Sequence, residues 1–462
     1  MNSIFANIDI DLLKKYDKPG PRYTSYPTAP LFSQEYTPQL FKEDLIQNNS
    51  NSTHPLSLYF HIPFCDTLCY FCGCTTIITP NSEQLKKYIG YLKKEIDAVS
   101  KYITPQRKVV QLHWGGGTPS YLQPDQIREV GNFIKGRFNF GQNIEYGVEI
   151  DPRGLTFEHM KAFREIGMNR VSIGVQDFNE EVQVASNRIQ SEETTMNAYN
   201  WARELGIKSI NLDLIYGLPK QTKESFEKTL DKAIEISPER FAIFNFAYIP
   251  WLKPHQKLLN QSELPTADAK LQILKMTIEK LVTAGYVYIG MDHFVKPTDE
   301  MAIAQKNKTL YRNFQGYSTN AQADLFGFGM SSISHFGTVY SQNHKTLEEY
   351  YKNIDEGKFP IHIGYRMNED DVIRKFVILR LMCDLEIDKN QIERKFNIKF
   401  DEYFSESLVD LQQFIDEGIV VNSSDKILIQ GMGRLVLRTI AMCFDAYIKN
   451  MVKEKPIFSR TV

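Results

Sequence analysis

The sequence predicts an α/β protein: an incomplete, three-quarter parallel (β/α)6 barrel with an N-terminal cover segment and a C-terminal, mainly helical, winged-helix-like domain. Two observations carry the barrel. Apolar strand-like runs alternate with helical periodicity from residue 56 to about residue 284, and regular alternation builds a parallel sheet with helices outside. Six β–α steps can be counted, short of the eight that close a full barrel. A third observation, the loss of alternation after about residue 366, marks a separate unit. At 462 residues the chain exceeds one typical core. The expected units are 1–55, 56–365 and 366–462.

Taken in order, "LSLYFHIPF" (56–64) reads as a buried strand. After Ser82, residues Leu85, Tyr88, Ile89, Leu92, Ile96 and Val99 share one helical face. "VVQLHWGGG" (109–117) is a strand running into a glycine turn, followed by a helix near 124–138. Strand "IEYGVEID", helix 156–167, strand "RVSIGVQ", helix 191–206, strand "SINLDLIYG", helix 222–237, strand "RFAIFNFAYIP" and helix 266–284 complete the alternation. Cys65, the glycines 115–117, Glu149, Asp151, Gln176, Asp213 and Asn245 fall at or near strand ends. In parallel barrels those ends form the active-site face. One polar strand end would be a cap or a turn. Six together converge on one mouth.

In the C-terminal unit, "DVIRKFVILRLMCDL", "FSESLVDLQQFIDEG" and "GRLVLRTIAMCFDAYI" read as helices, and "GIVVNSSDKILIQ" reads as a hairpin. Winged-helix units often bind DNA, but residues 366–462 carry 15 Lys/Arg and 16 Asp/Glu, without the basic stripe such binding needs. A packing role at the side of the cavity is expected. Net charge over the whole chain is −2, so no global field recruits nucleic acid or anionic lipid. The longest nearly apolar run, "FAIFNFAYIPWL", is too short to span a bilayer. The N-terminus does not read as a signal peptide. A cytoplasmic monomer without a nucleic-acid partner or a membrane span is the expectation.

Four of six cysteines crowd into "HIPFCDTLCYFCGC" (61–74). Structural zinc usually takes two separated Cys/His pairs, and here all four thiols sit on one loop, with Cys72 and Cys74 flanking a single glycine. Unliganded thiols fit the regular spacing poorly. An iron–sulfur cluster remains: Cys65-x3-Cys69-x2-Cys72 supplies three thiolates and leaves one iron open. Phe64, Leu68, Tyr70 and Phe71 would keep water away.

This loop resembles that of the radical S-adenosylmethionine (SAM) enzymes, in which the open iron of a 4Fe-4S cluster chelates SAM and electron transfer yields a 5′-deoxyadenosyl radical. "GGGTP" (115–119) resembles the family's glycine-rich segment, with Gly117-Thr118 where an acidic residue is usual. "GPRYTSYPTA" (20–29), the added Cys74, "DLIYGLPKQT", "GMDHF" and "NFQGYST" narrow the resemblance to the oxygen-independent coproporphyrinogen III oxidases, nearly end to end. The resemblance implies decarboxylation of the ring A and B propionates of coproporphyrinogen III to vinyl groups, giving protoporphyrinogen IX. It implies Cys65, Cys69 and Cys72 as cluster ligands, with Cys74 left out. It implies Tyr59, Phe71, Gly116, Gly117, Thr118, Glu149, Gln176, Arg188, Asp213, Ala247 and Ile333 as SAM contacts. Tyr59 and His61 are the expected catalytic groups. Arg22, Arg312 and Gln315 are the candidates for the substrate's carboxylates. A low-potential electron donor of flavodoxin or ferredoxin type is implied as a partner. The competing functions are a heme-binding chaperone that keeps the cluster without decarboxylation, and a cluster-bearing DNA sensor.

Overall fold

A computed structural model describes residues 8–50, 52–451 and 458–460. All six expected strands are present: β1 (Leu56–Ile62), β2 (Lys108–Gly116), β3 (Asn139–Ile150), β4 (Arg170–Gln176), β5 (Ser209–Tyr216) and β6 (Arg240–Asn245). They pair in chain order and all run parallel. The helices between them start where their caps dictate. Thr156, Ser191, Thr222 and Thr266 each accept a bond from the backbone N–H three residues on, which satisfies one of the donors a helix start leaves unpaired.

The sheet is larger than six strands. β7 (Val287–Gly290) and β8 (His293–Val295) form a hairpin against β6. At the other edge β9 (Asp324–Phe328) lies parallel to β1, in register from Leu56 opposite Asp324 to Phe60 opposite Phe328. Antiparallel strands β10 (Ile333–Phe336), β11 (Val339–Asn343) and β12 (Ile361–Arg366) extend that edge. The result is a twelve-stranded sheet, seven of whose strands are parallel neighbours. "DLFGF" is five residues long and carries no periodicity that sets it apart from a turn-rich stretch, so β9 is not readable from sequence.

Burial along β5 shows how the barrel is organised. Ile210, Leu212, Leu214 and Tyr216 are buried against the surrounding helices, while Ser209, Asn211, Asp213 and Ile215 alternate with them, half-buried. A filled barrel packs branched apolar side chains inside. Here the inward row is polar, so the interior stays open.

The C-terminal unit starts with the helix Glu369–Asp384, capped by Asn368. The expected hairpin, Val420–Asn422 with Lys426–Ile429, gains a third strand from Glu386–Asp388. The N-terminal segment is strapped to this unit. The Arg438 guanidinium donates to the carbonyls of Gly20, Pro21 and Arg460. The Tyr23 hydroxyl donates to Asp445 at 3.0 Å. Arg22 pairs with Asp292 of the β7–β8 turn. Among the described residues no helix is long and apolar enough to cross a membrane.

One buried ion pair joins the sheet edge to its centre. Arg107, at the entrance to β2, bonds Asp324 at the start of β9, Asn49, and the carbonyl of His54; its side chain is 0% exposed. Removing one member of such a pair strands the other's charge in low dielectric. Arg107→Met should therefore cost about 3–5 kcal/mol in chemical denaturation, and adding Asp324→Asn to it should recover a large part of that loss.

Candidate active site

The strand ends surround a cavity of ≈460 Å³ whose wall includes Cys65, Cys69, Cys72 and Cys74 together with Phe71, Gly116, Gly117, Thr118, Glu149, Gln176, Arg188, Asp213 and Gln315. Residues from six segments far apart in sequence are thus brought to one mouth. Among the described residues no three His, Cys, Asp or Glu side chains converge closely enough to hold a single metal ion. The four thiols share one wall of the cavity.

Each thiol has its own surroundings. Cys65 Sγ lies 3.2 Å from Thr118 Oγ1, and burial pushes its thiol up to about 12. Cys69 Sγ accepts from Arg153 at 3.3 Å and from Arg188 at 3.7 Å. Cys72 Sγ accepts from the Cys74 backbone N–H at 3.4 Å. Hydrogen bonding from Cys74 outweighs burial and holds the Cys72 thiol below its ordinary value. Donors aimed at sulfur favour thiolate, the form that binds metal.

Asp151 organises the arginines beside Cys69. Its Oδ2 accepts from Arg188 at 2.8 Å and from Arg153 at 2.7 Å. Burial raises this carboxyl, but the Arg188 charge and the Arg153 bonds more than reverse that, so it sits below the usual carboxylate range. Arg188, an expected SAM contact, also donates to the Gly174 carbonyl at 2.6 Å; its Nε is buried and unpartnered. Gln315 Nε2 and His293 Nδ1 are likewise buried without a partner, and both residues line the cavity. Buried polar atoms are normally satisfied, so these three mark positions where a polar ligand fits.

Glu149, at the end of β3, is held by His113 Nε2 at 3.2 Å and the Gly116 N–H at 3.3 Å. Burial works against its charge, but His113 and the Gly116 N–H prevail and keep it ionised below the usual range. Asp213 contrasts with it. Burial first, then the Glu149 charge, outweigh bonds from Ser172 and Asn211 and raise it to about 7. Two carboxylates of opposite disposition therefore face one cavity. Gln176 adopts φ +69 at the end of β4, a conformation uncommon for residues other than glycine and found where a site over-determines the backbone.

The glycine run has a packing reason that the sequence did not reveal. A Cβ on Gly116, which has φ +116, would lie 2.7 Å from the His61 ring, and one on Gly117 would lie 2.7 Å from the Pro63 backbone. The glycines let the end of β2 press against that of β1.

The other expected site residues lie elsewhere. Tyr59 is half-buried, with its hydroxyl 3.1 Å from His61 Nδ1, and His61 Nε2 is 3.0 Å from the Thr75 carbonyl. Through this pair the end of β1 braces the cysteine loop, and the Tyr59 ring stacks on His113, which lines the cavity. Ala247 and Arg22 line a second cavity of ≈390 Å³ beside the C-terminal unit. Arg312 is buried and donates through Nε to the Arg22 carbonyl at 3.2 Å. Ile333 begins β10. Sequence reasoning passed over His113, Arg153 and the segment Lys253–Gln256. That segment grips the cysteine loop from outside: Lys253 Nζ meets the Cys74 carbonyl at 2.9 Å, His255 Nε2 the Cys72 carbonyl at 2.8 Å, and Gln256 the Phe71 carbonyl at 3.3 Å. The basic "KPHQK" after an apolar run was its only trace.

Comparison with known proteins agrees with this geometry. Residues 59–233 match the Radical SAM superfamily and residues 367–436 the HemN C-terminal domain. The chain is 44% identical over 468 residues, 100% of both chains, to the oxygen-independent coproporphyrinogen III oxidase of Synechocystis sp.. It is 43% identical to that of Escherichia coli, over 98% of each. The chain belongs to the oxygen-independent coproporphyrinogen III oxidases. A solved structure of the E. coli enzyme, described as "Coproporphyrinogen III oxidase (HemN) from Escherichia coli is a Radical SAM enzyme", superposes with a TM-score of 0.91 over 96% of this chain and 99% of that one, at 42% identity. As an oxygen-independent coproporphyrinogen III oxidase the chain is an oxidoreductase, and its cavity is that of a radical SAM barrel.

The raised Asp213 has a thermodynamic consequence. A carboxyl whose folded value lies above its unfolded value stabilises the fold below the unfolded value, and that stability is lost as pH rises through the folded one. Between pH 3.8 and about 7 the wild-type protein should lose stability relative to Asp213→Asn. Denaturant melts of both proteins across that range should diverge, the variant ending the more stable.

Proposed function

We propose that this chain removes the ring A and B propionate carboxyls of coproporphyrinogen III without oxygen, giving the two vinyl groups of protoporphyrinogen IX, and that the polar-lined barrel carries the reaction. The single observation behind the residue assignments is the wall shared by the cysteine loop, Glu149, Asp213 and Arg188. The barrel takes a 4Fe-4S cluster, for which Cys65, Cys69 and Cys72 are the ligands, and SAM. When bound, that pair supplies the one-electron chemistry that removes a hydrogen atom from the propionate β-carbon, a position too weakly acidic for a side-chain base. Tyr59, Phe71, Gly116, Gly117, Thr118, Glu149, Gln176, Arg188, Asp213, Ala247 and Ile333 are the proposed SAM contacts. Ionised Glu149 and the more readily protonated Asp213 offer an acceptor and a donor for hydroxyl and amino groups.

The substrate's four carboxylates need cations. Arg22 is lowered to about 9 by burial and by the Arg438 and Arg312 charges. His293 is driven to about 3 by burial, Arg312, Arg22 and Arg240. Arg22 is matched by Asp292 and Arg240 by Asp299 and Glu300, but Arg312 Nη1 is buried without a partner, a donor that a bound carboxylate would satisfy. Arg22, Arg312 and Gln315 are the proposed carboxylate contacts. Each propionate loses a hydrogen atom, CO2 and one electron. The residues' further work is orientation and the exclusion of water. Residues 1–55 act as the cover and 366–462 as the packing unit. A cytoplasmic monomer served by a low-potential flavodoxin- or ferredoxin-type donor completes the reading.

The test is anaerobic incubation of coproporphyrinogen III with SAM and a reductant. Product mass should fall by two CO2, each with two hydrogens. An unchanged tetrapyrrole, with donor and acceptor both supplied, would falsify the assignment. Iron analysis separates the cysteines: Ser at Cys65, Cys69 or Cys72 should abolish cluster iron after reconstitution, while Cys74→Ser should retain it.

A further inference from the structure

The surface around the cysteine loop has a character that the cavity does not explain. Of the ten exposed large hydrophobic side chains among the described residues, six lie on segments that pack on this loop: Ile78, Val184, Ile189, Trp251, Leu252 and Leu258. Each segment's attachment is visible in backbone bonds. Ile78 pairs with Cys65. The stretch carrying Val184 and Ile189 bonds the backbones of Leu68 and Tyr70 through Asn187 and Ser186. The stretch carrying Trp251, Leu252 and Leu258 bonds the carbonyls of Phe71, Cys72 and Cys74. Scattered single hydrophobics on a surface need no explanation, whereas a concentration marks an interaction site.

Charge divides this surface. Asp66, Glu180 and Glu181 stand on the Ile78 and Val184 side. Lys253, Lys257 and Lys345 stand on the other, beside Trp251, Leu252 and Leu258, which are 59%, 57% and 59% exposed. Lys345 is near enough to Lys253 to feel its charge. On the same side Gly73, between Cys72 and Cys74, is exposed, and a Cβ on it would meet nothing within 4 Å. A partner seated on Trp251–Leu258 touches side chains that are themselves bonded to Cys72 and Cys74.

We propose that Trp251, Leu252, Lys257, Leu258 and Lys345 form the docking face for an acidic one-electron carrier protein. The inference rests on the radical SAM reading above and names where its reductant binds. The carrier arrives reduced, gives up one electron across the Cys72–Cys74 backbone and leaves oxidised by one electron; no bond forms between the proteins. Electron-transfer encounters are small and short-lived, with a few apolar contacts and charge steering in place of a large interface. A competing basic face exists. Lys42, Lys94, Lys101, Lys352 and Lys358 surround a groove formed by the helices Pro38–Ser50, Ser82–Ser100 and Leu347–Asp355. Its lysines are more numerous, but it lacks both the apolar cluster and any contact with the cysteine loop.

The two faces make the experiment decisive. An acidic flavodoxin is titrated into the full-length, cluster-loaded protein at low ionic strength, and binding is read by calorimetry. Lys257→Glu/Leu258→Ser should weaken binding by about tenfold or more, with Lys257→Glu alone intermediate. Added salt should weaken the wild-type complex more than the double variant's. Lys352→Glu/Lys358→Glu should bind as the wild type does. Iron content and dithionite-driven turnover should be equal in all four proteins, since a small reductant needs no docking face. Equal affinity across the series, or loss confined to the Lys352/Lys358 variant, overturns the proposal. The titration reads binding directly, so it decides the face independently of the oxidase assignment, whose own failure would appear as absent wild-type turnover with dithionite.

Discussion

The interior of this barrel depends on one constraint: every strand must turn its apolar row outward to the helices and its polar row inward. β5 shows the rule in its simplest form, with four buried residues under helices and Asn211 and Asp213 on the cavity side. Helices and sheet then make the core between them, and the centre need not be filled. An open centre leaves the inward polar side chains facing a cavity, so they pair with one another along its wall, from one strand to the next. Glu149 with His113, Asp213 with Ser172 and Asp151 with Arg188 are such pairs. Where no protein partner exists, as at Arg188 Nε and Gln315 Nε2, the site is left prepared for a ligand. Preorganisation of this kind keeps the ordering cost out of the binding step.

The same arrangement governs charge. Arg153 and Arg188 face sulfur and Asp151 together, so the carboxylate fixes the guanidinium groups while their remaining donors reach Cys69. Arg22, Arg312 and Arg438 accumulate on the opposite side, each spending part of its donor capacity on the N-terminal segment or the β7–β8 turn. Arg312 and Arg438, held by backbone carbonyls, keep their net charge, whereas Arg22 is matched with Asp292. The arginines beside sulfur thus lie on the wall of the barrel cavity, whereas Arg22 and Arg438 line the second cavity, beside the C-terminal unit.

Much of this was legible in the sequence because periodicity and strand-end polarity are local properties. The six parallel strands, the cysteine loop and most of the cavity wall follow from runs of about ten residues. What escaped is non-local. β9 is recognised as a strand only through its register with β1. The outer grip of Lys253, His255 and Gln256 on the loop spans some 180 positions in the chain. Tyr59 and His61 sit on the strand expected of them, but the bond that ties His61 to the Thr75 carbonyl across the loop is not readable from sequence. The glycine run was identified, yet its close approach to His61 and Pro63 requires both strand ends in place. The third strand of the C-terminal sheet, Glu386–Asp388, is three residues long, too short for any pattern.

The position of β9 also sets an order on how the protein is made. β1 needs a neighbour on each side, and one of them is synthesised only when the chain has grown past residue 328. Until then the ribosome carries a barrel with an open hydrogen-bonding edge at its first strand, the kind of edge that invites pairing with other chains. Arg107 meanwhile waits 217 residues for its carboxylate. The cysteine loop, attached to that same first strand, emerges early and stays accessible through this interval. The first strand thus stays open to mispairing until residue 328 has been added, and chaperones that shield unpaired edges have reason to attend to this stretch of the chain for that long.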